Sequence, residues 1–111
     1  MTINIEHFKR DLKNLQELQE HADRMQQVIE NVARDFTKKW QDTIFFNQKE
    51  NREYKLYHAS GWNHNFKFNM YKIHKKQKHK VIQENEYINL EDFSELIPTG
   101  ETINDRLQPL K

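Results

Sequence analysis

The chain has 111 residues, of which 35% are hydrophobic and 32% charged, with no cysteine among them. A core is affordable at this length but a thin one, and stability drawn from a partner or from oligomerisation is expected. The missing cysteines exclude disulfides and thiolate metal sites. Met1–Leu12 lacks a signal-type apolar run, and no stretch approaches about 18 consecutive apolar residues, so a cytoplasmic chain without a membrane span is expected.

The net charge of +1 conceals an uneven distribution. Residues 1–50 carry eight Lys/Arg and nine Asp/Glu; residues 51–80 carry eight against the single acid Glu53; residues 81–111 carry two against seven. A basic middle therefore precedes an acidic tail.

The first glycine is Gly61 and the first proline Pro98. Before them, Leu15, Leu18, Ala22, Met25, Ile29, Val32 and Phe36 recur in steps of three and four, a heptad seam. Phe8 extends the seam, Leu12, Val28, Ala33, Trp40 and Ile44 widen it, and Asp11 and Lys39 interrupt it. Thr2 or Asn4 is the candidate cap. The pattern predicts one long amphipathic helix from about Ile5 to about Phe46, within a helical segment 1–46. It would be roughly 63 Å long at the standard rise, beyond the reach of a compact domain. Pairing with a second copy through residues 8–40 is favoured over a fold-back near Glu20–Asp23, because sharp breaks usually need Gly or Pro. A homodimer is the expected state.

Residues 52–88 form a basic, aromatic β region. Tyr54, Leu56 and His58 alternate with Lys55 and Tyr57; Ser60–His64 reads as a turn; Phe66, Phe68 and Met70 alternate with Lys67 and Asn69. Apolar character then passes to Tyr71 and Ile73, which suggests a bulge near Met70–Tyr71. A third strand is expected at Lys80–Gln83 or at Glu86–Ile88. Trp62 is expected to fold back onto the sheet, since a thin core needs large apolar area. In the acidic tail 89–108, Asn89 caps a short helix whose apolar face is Phe93, Leu96 and Ile97, ended by Pro98 and Gly100, with another turn or two at Ile103–Leu107. The fold class expected is α+β: a long N-terminal helix, a small antiparallel sheet, and one or two short C-terminal helices.

The basic block carries the main functional signal. Lys55, Lys67, Lys72, Lys75, Lys76, Lys78 and Lys80 interleave with Tyr71, His74 and His79, and with Phe66 and Phe68. Cations neutralise phosphates and aromatic faces stack on unpaired bases, so a contact surface for nucleic acid, or for an acidic protein face, is expected. The plainer reading puts Phe66, Phe68 and Met70 in the core and pairs the lysines with Glu84, Glu86, Glu91, Asp92 and Glu95.

The expected function is thus a small non-enzymatic binding protein without a cofactor. The main alternative is an antagonist or adaptor, of immunity or anti-defence type, that binds one larger protein. A third reading is a small nuclease. Glu53-Tyr54-Lys55 has an E-x-K form that with Asp42 and Glu30 would hold a divalent cation, and His58, His64, His74 and His79 offer acid–base groups. The spacing of the histidines matches no metal signature, and His7 and His21 read as helix-surface residues.

Overall fold

The computed structural model describes residues 3–20 and 25–107 and is α+β. Two N-terminal helices, α1 (Ile5–Glu20) and α2 (Gln26–Trp40), precede β1 (Thr43–Asn47), β2 (Arg52–Trp62), β3 (Asn65–Ile73) and β4 (Val81–Asn89). A short helix α3 (Leu90–Ser94), strand β5 (Ile97–Thr102) and a last helix α4 (Ile103–Leu107) follow. The sheet is antiparallel throughout, in the order β4-β3-β2-β1-β5.

The long helix of the sequence reading is divided. Met25, just before α2, is extended (φ −88°, ψ 141°), and α2 ends at Trp40. The helices run antiparallel, so that Phe8 near the start of α1 packs on Phe36 and Trp40 near the end of α2. Thr2, His21, Ala22 and the tail beyond residue 107 lie outside the described residues, as do residues 21–23 of the stretch Glu20–Asp23 where the disfavoured fold-back was placed. Each half of the apolar stripe is buried against the sheet, with Leu15 1%, Ile29 0% and Phe36 4% exposed. Leu18 and Val32 pack on the same core, while Met25 is exposed. Apart from Met25, the described part of the seam is therefore covered in cis. The longest dimension of the molecule is 51 Å, shorter than the single helix would be. The overhang that motivated pairing with a second copy is absent.

Two further expectations fail on the same physical ground. Ile44, Phe45 and Phe46 belong to β1, because Asp42 takes a left-handed backbone (φ 70°) and turns the chain out of α2 without a glycine. Ile97, Pro98 and Gly100 form β5, an edge strand where proline costs no ladder bond. The cap on α3 is as expected: Asn89 Oδ1 accepts the amide of Asp92 at 2.8 Å. The two alternative positions for a third strand are joined in the single strand β4, which takes in Glu86–Ile88 and all of Lys80–Gln83 except Lys80.

Phe45, Tyr54, Leu56, Ala59, Phe66, Phe68 and Met70 cover one face of the sheet and meet α1, α2 and α3 in a core rich in rings. Phe93 lies 3.9 Å from Phe68, centroid to centroid, and within 6.1 Å of Phe8, Phe36 and Phe45. α2 approaches β2 closely at Gly61, where a Cβ would stand 2.6 Å from Ile29 Cγ2. Gln26 fastens the same end, donating to Gly61 O (3.2 Å) and accepting from His64 N (2.7 Å). On the opposite face α4 covers one end only, through a small cluster of Ile44, Ile73 and Ile103 with Val81. This explains the apolar character at Tyr71 and Ile73. The alternation of β3 is unbroken, and the extra residues at that level are in β4, between the pairs Tyr71–Asn85 and Lys72–Ile82.

Candidate nucleic-acid interface

The remainder of the second face is open. Residues paired directly across neighbouring strands share a face, so the register identifies its members. Lys55 pairs with Tyr71, His58 with Asn69, Ser60 with Lys67 and Trp62 with Asn65. On the other side of β3, Lys67 pairs with Asn89, Asn69 with Tyr87 and Tyr71 with Asn85. One extra residue, Tyr57, interrupts β2 between the pairs of Leu56 and His58. This bulge lets Tyr57 join the same face, where its ring stacks on Tyr71 with centroids 4.8 Å apart. Thr37 of α2 secures the strand just beyond the bulge: its hydroxyl accepts from Ala59 N (2.8 Å) and has both Ala59 O (3.0 Å) and Ala33 O (2.9 Å) within reach of its one proton.

The open face is aromatic. Trp62 is 71% exposed, Tyr87 69% and Tyr57 41%. Trp62 thus stands in solvent, against the expectation that it folds back, because it shares a face with Asn65 and Lys67, away from the side of β2 on which Gly61 meets α2. The turn beside it consists of Asn63 and His64, both at positive φ (51° and 65°), the backbone of a tight two-residue hairpin. Phe66, Phe68 and Met70 are buried in the core and are no part of the surface.

The lysines divide into two groups. Lys55 is buried, with its Nζ 2.8 Å from Asp42 Oδ1 and 5.5 Å from the ring centres of both Tyr57 and Tyr71. It supports the tyrosine pair from below. Lys72 reaches Glu84 (3.5 Å) and Glu86 (4.0 Å), and Lys78 reaches Glu53 (3.8 Å). Lys67 is half-buried on the open face, whereas Lys75, Lys76 and Lys80 are exposed; none of these four has an ion-pair partner among the described residues. The last three belong to the segment joining β3 to β4, at the end of the sheet opposite Trp62. His74 is occupied locally, its Nδ1 accepting the amides of Lys76 and Gln77 (3.2 and 3.0 Å), and His79 is exposed nearby.

The E-x-K residues are joined into ion pairs of their own. Both oxygens of Glu53 accept from Arg106 of α4, at 2.8 and 2.9 Å, and Arg106 also reaches Glu101 (3.0 Å) and the carbonyl of Lys78 (2.9 Å). The hydrogen bonds from Arg106 hold the Glu53 carboxyl below its ordinary pKa, outweighing the burial that opposes them. Glu30 lies on α2, across the sheet from this network. Among the described residues no group of three or more His, Asp or Glu could hold a metal ion.

The sequence named Tyr71, Lys67 and the loop lysines as contacts and His58 only as an acid–base candidate, and it did not single out Tyr57, Tyr87 or Asn69. The alternation of β3 already set Lys67, Asn69 and Tyr71 on one face; which face the helices would cover was not written in it. No helix among the described residues is long and apolar enough to cross a membrane. Comparison of the chain with protein families, with curated proteins and with solved structures finds no match, so the geometry of this face is what a functional reading rests on.

Proposed function

We propose that this chain is a binding protein for single-stranded nucleic acid, and that the open face of the sheet is its contact surface. The observation that carries the reading is the exposure of Trp62, Tyr57 and Tyr87 on one face of a sheet whose far end carries Lys75, Lys76 and Lys80. Bases splayed from a single strand stack on flat rings, at about 1–3 kcal/mol per base, and the lysines meet the phosphates. A duplex keeps its base faces stacked inside and gains only the charge term. β3 extends roughly 27 Å from Asn65 to Ile73, long enough for several nucleotides to lie along it. The chemistry needs no cation and no acid–base group, in keeping with the internal pairing of Glu53 and Lys55.

Anisotropy of labelled single-stranded RNA and DNA, and of a duplex control, at two salt concentrations tests this. Tight single-strand binding that weakens with salt, quenches Trp62 and is lost in Trp62→Ala/Tyr87→Ala is expected. No binding at low salt, or full binding by the double variant, would overturn it. So would a stoichiometric protein partner that displaces the oligonucleotide and survives nuclease treatment, the outcome that an adaptor or antagonist predicts.

A further inference from the structure

The sheet is notched at its corner beside Trp62. β4 pairs with β3 as far as Lys67–Asn89 and then turns into α3, so Asn65 and Phe66 at the start of β3 extend past it. The notch has a volume of about 210 Å³ and is lined by Gln19 of α1, Asn65, Phe66 and Lys67 of β3, Asn89 and Glu91. Gln19 serves the exposed stretch of β3: its side-chain oxygen accepts the amide of Phe66 at 2.8 Å. The side-chain oxygen of Asn89 is committed likewise, to the amide of Asp92 at 2.8 Å. A side-chain amide has one oxygen and one nitrogen. With each oxygen held by a backbone N–H, the group that Gln19 and Asn89 have left for the notch is NH₂, and neither nitrogen has a partner among the described residues. Asn89 is exposed, and the half-buried Gln19 keeps its nitrogen accessible. Lys67 adds an ammonium. Glu91, the acid of the six, is exposed and offsets the charge of Lys67 without removing a donor.

Three donors in one recess suit a group that only accepts. Phosphate oxygens only accept, and Asn, Gln and Lys side chains are ordinary donors to them. We infer that this notch is a phosphate subsite, in which Gln19, Asn89 and Lys67 hold one phosphate of the strand while Trp62, paired with Asn65 beside it, stacks on the neighbouring base. The inference rests on the single-strand reading above. It sets the register of the strand, since the loop lysines take phosphates at one end of β3 and the notch takes one at the other. A link within the strand and a terminal phosphate offer the same oxygens.

The test uses oligo(dT) of roughly ten nucleotides, with hydroxyls at both ends, with a 5′-phosphate and with a 3′-phosphate. Asn89→Ser and Gln19→Glu each keep an oxygen for the backbone N–H and lose the NH₂, so their melting temperatures should stay close to that of wild type. Each should bind roughly 10- to 150-fold more weakly, the worth of a hydrogen bond to a charged group. Asn89→Ser should leave the salt slope unchanged, because a neutral donor releases no counterion, whereas Lys67→Gln should flatten it by about 0.7. A loss already present on the hydroxyl-ended strand assigns the notch to an internal phosphate, and a loss confined to a phosphorylated strand assigns it to a terminal one. Full affinity of both variants for all three strands, or a loss matched by a lower melting temperature, overturns the subsite and leaves single-strand binding standing. Failure of wild type to bind any of the three overturns both.

Discussion

Asp11 and Lys39, the two charged residues that interrupt the apolar seam of the N-terminal segment, face each other across the helix pair with Nζ 3.1 Å from Oδ2. The same oxygen accepts the indole N–H of Trp40 at 2.8 Å. One carboxylate therefore fastens the start of α1 to the end of α2. The two contacts differ in worth. Lys39 is 55% exposed along its side chain, and an exposed ion pair contributes about 0–1 kcal/mol. Trp40 is 4% exposed, and its donor, once orphaned, costs about 1–3 kcal/mol. Asp11→Ala should thus lower the unfolding free energy by about 1–3 kcal/mol in urea titration, and Lys39→Ala by no more than about 1. Equal losses would mean that the ion pair, not the indole bond, joins the helices.

That relationship also shows what the sequence could and could not disclose. The periodicity of Leu15, Ile29 and Phe36 located the buried face of both helices, and Asn89 with Asp92 located α3. A period of three and four, however, is identical for one long helix and for two that fold against a common sheet. The choice between them lay in long-range contacts such as Phe8 with Trp40, which local spacing does not encode. Asp42 hid the start of β1 by taking the left-handed turn expected of glycine. Of the candidate site, the alternation carrying Lys67 and Tyr71 was readable. The buried role of Lys55 was not, since it depends on Asp42 arriving from beyond α2. Exposure of Trp62 was misread because a tryptophan in a polar chain is ordinarily needed in the core, and here six of the seven phenylalanines fill that role.

Thr37 links helix packing to the shape of the open face. Its hydroxyl accepts the amide of Ala59 and lies within reach of its carbonyl, one residue after the position His58 that follows the bulge. Thr37→Val keeps the volume and removes the bonds, leaving a buried N–H in need of a partner. A loss of about 1–3 kcal/mol is expected. Because the bulge sets Tyr57 on Tyr71, single-strand binding by the variant should fall even where it remains folded, as followed by anisotropy below its melting temperature. Unchanged affinity would show that the bulge is held by the strands alone.

Glu53 gives stability a defined acid limb. Its folded-state pKa lies below the ordinary 4.5, chiefly through the hydrogen bonds of Arg106, so the unfolded chain takes up the proton first. The stabilisation is fully present above the unfolded value and is lost as pH falls through the folded one. Wild type should therefore lose stability on acidification below about pH 4.5 more steeply than Glu53→Gln, whose curve lacks this contribution. Near neutrality the Gln variant is the less stable of the two, since it exchanges a two-pronged ion pair for a neutral amide. Parallel melting-temperature curves from pH 7 to pH 3 would refute the assignment.

The lysines should separate by salt dependence. A phosphate contact made by a lysine in solvent releases counterions, and each one removed lowers the slope of log K against log salt by about 0.7 for a single strand. Lys75, Lys76 and Lys80 are exposed at the end of the open face, so Lys75→Gln, Lys76→Gln and Lys80→Gln together should flatten the slope by roughly two while leaving the fold intact. Lys55 carries the same charge but spends it on Asp42 beneath the tyrosine pair. Lys55→Gln should leave the slope unchanged, weaken binding equally at every salt concentration and lower the melting temperature, because it leaves Asp42 unpaired and the stacked rings unsupported. A slope that falls with Lys55→Gln and is indifferent to the three loop lysines would place the phosphates on the inner part of the face. The direction in which the strand crosses the sheet would then have to be reversed.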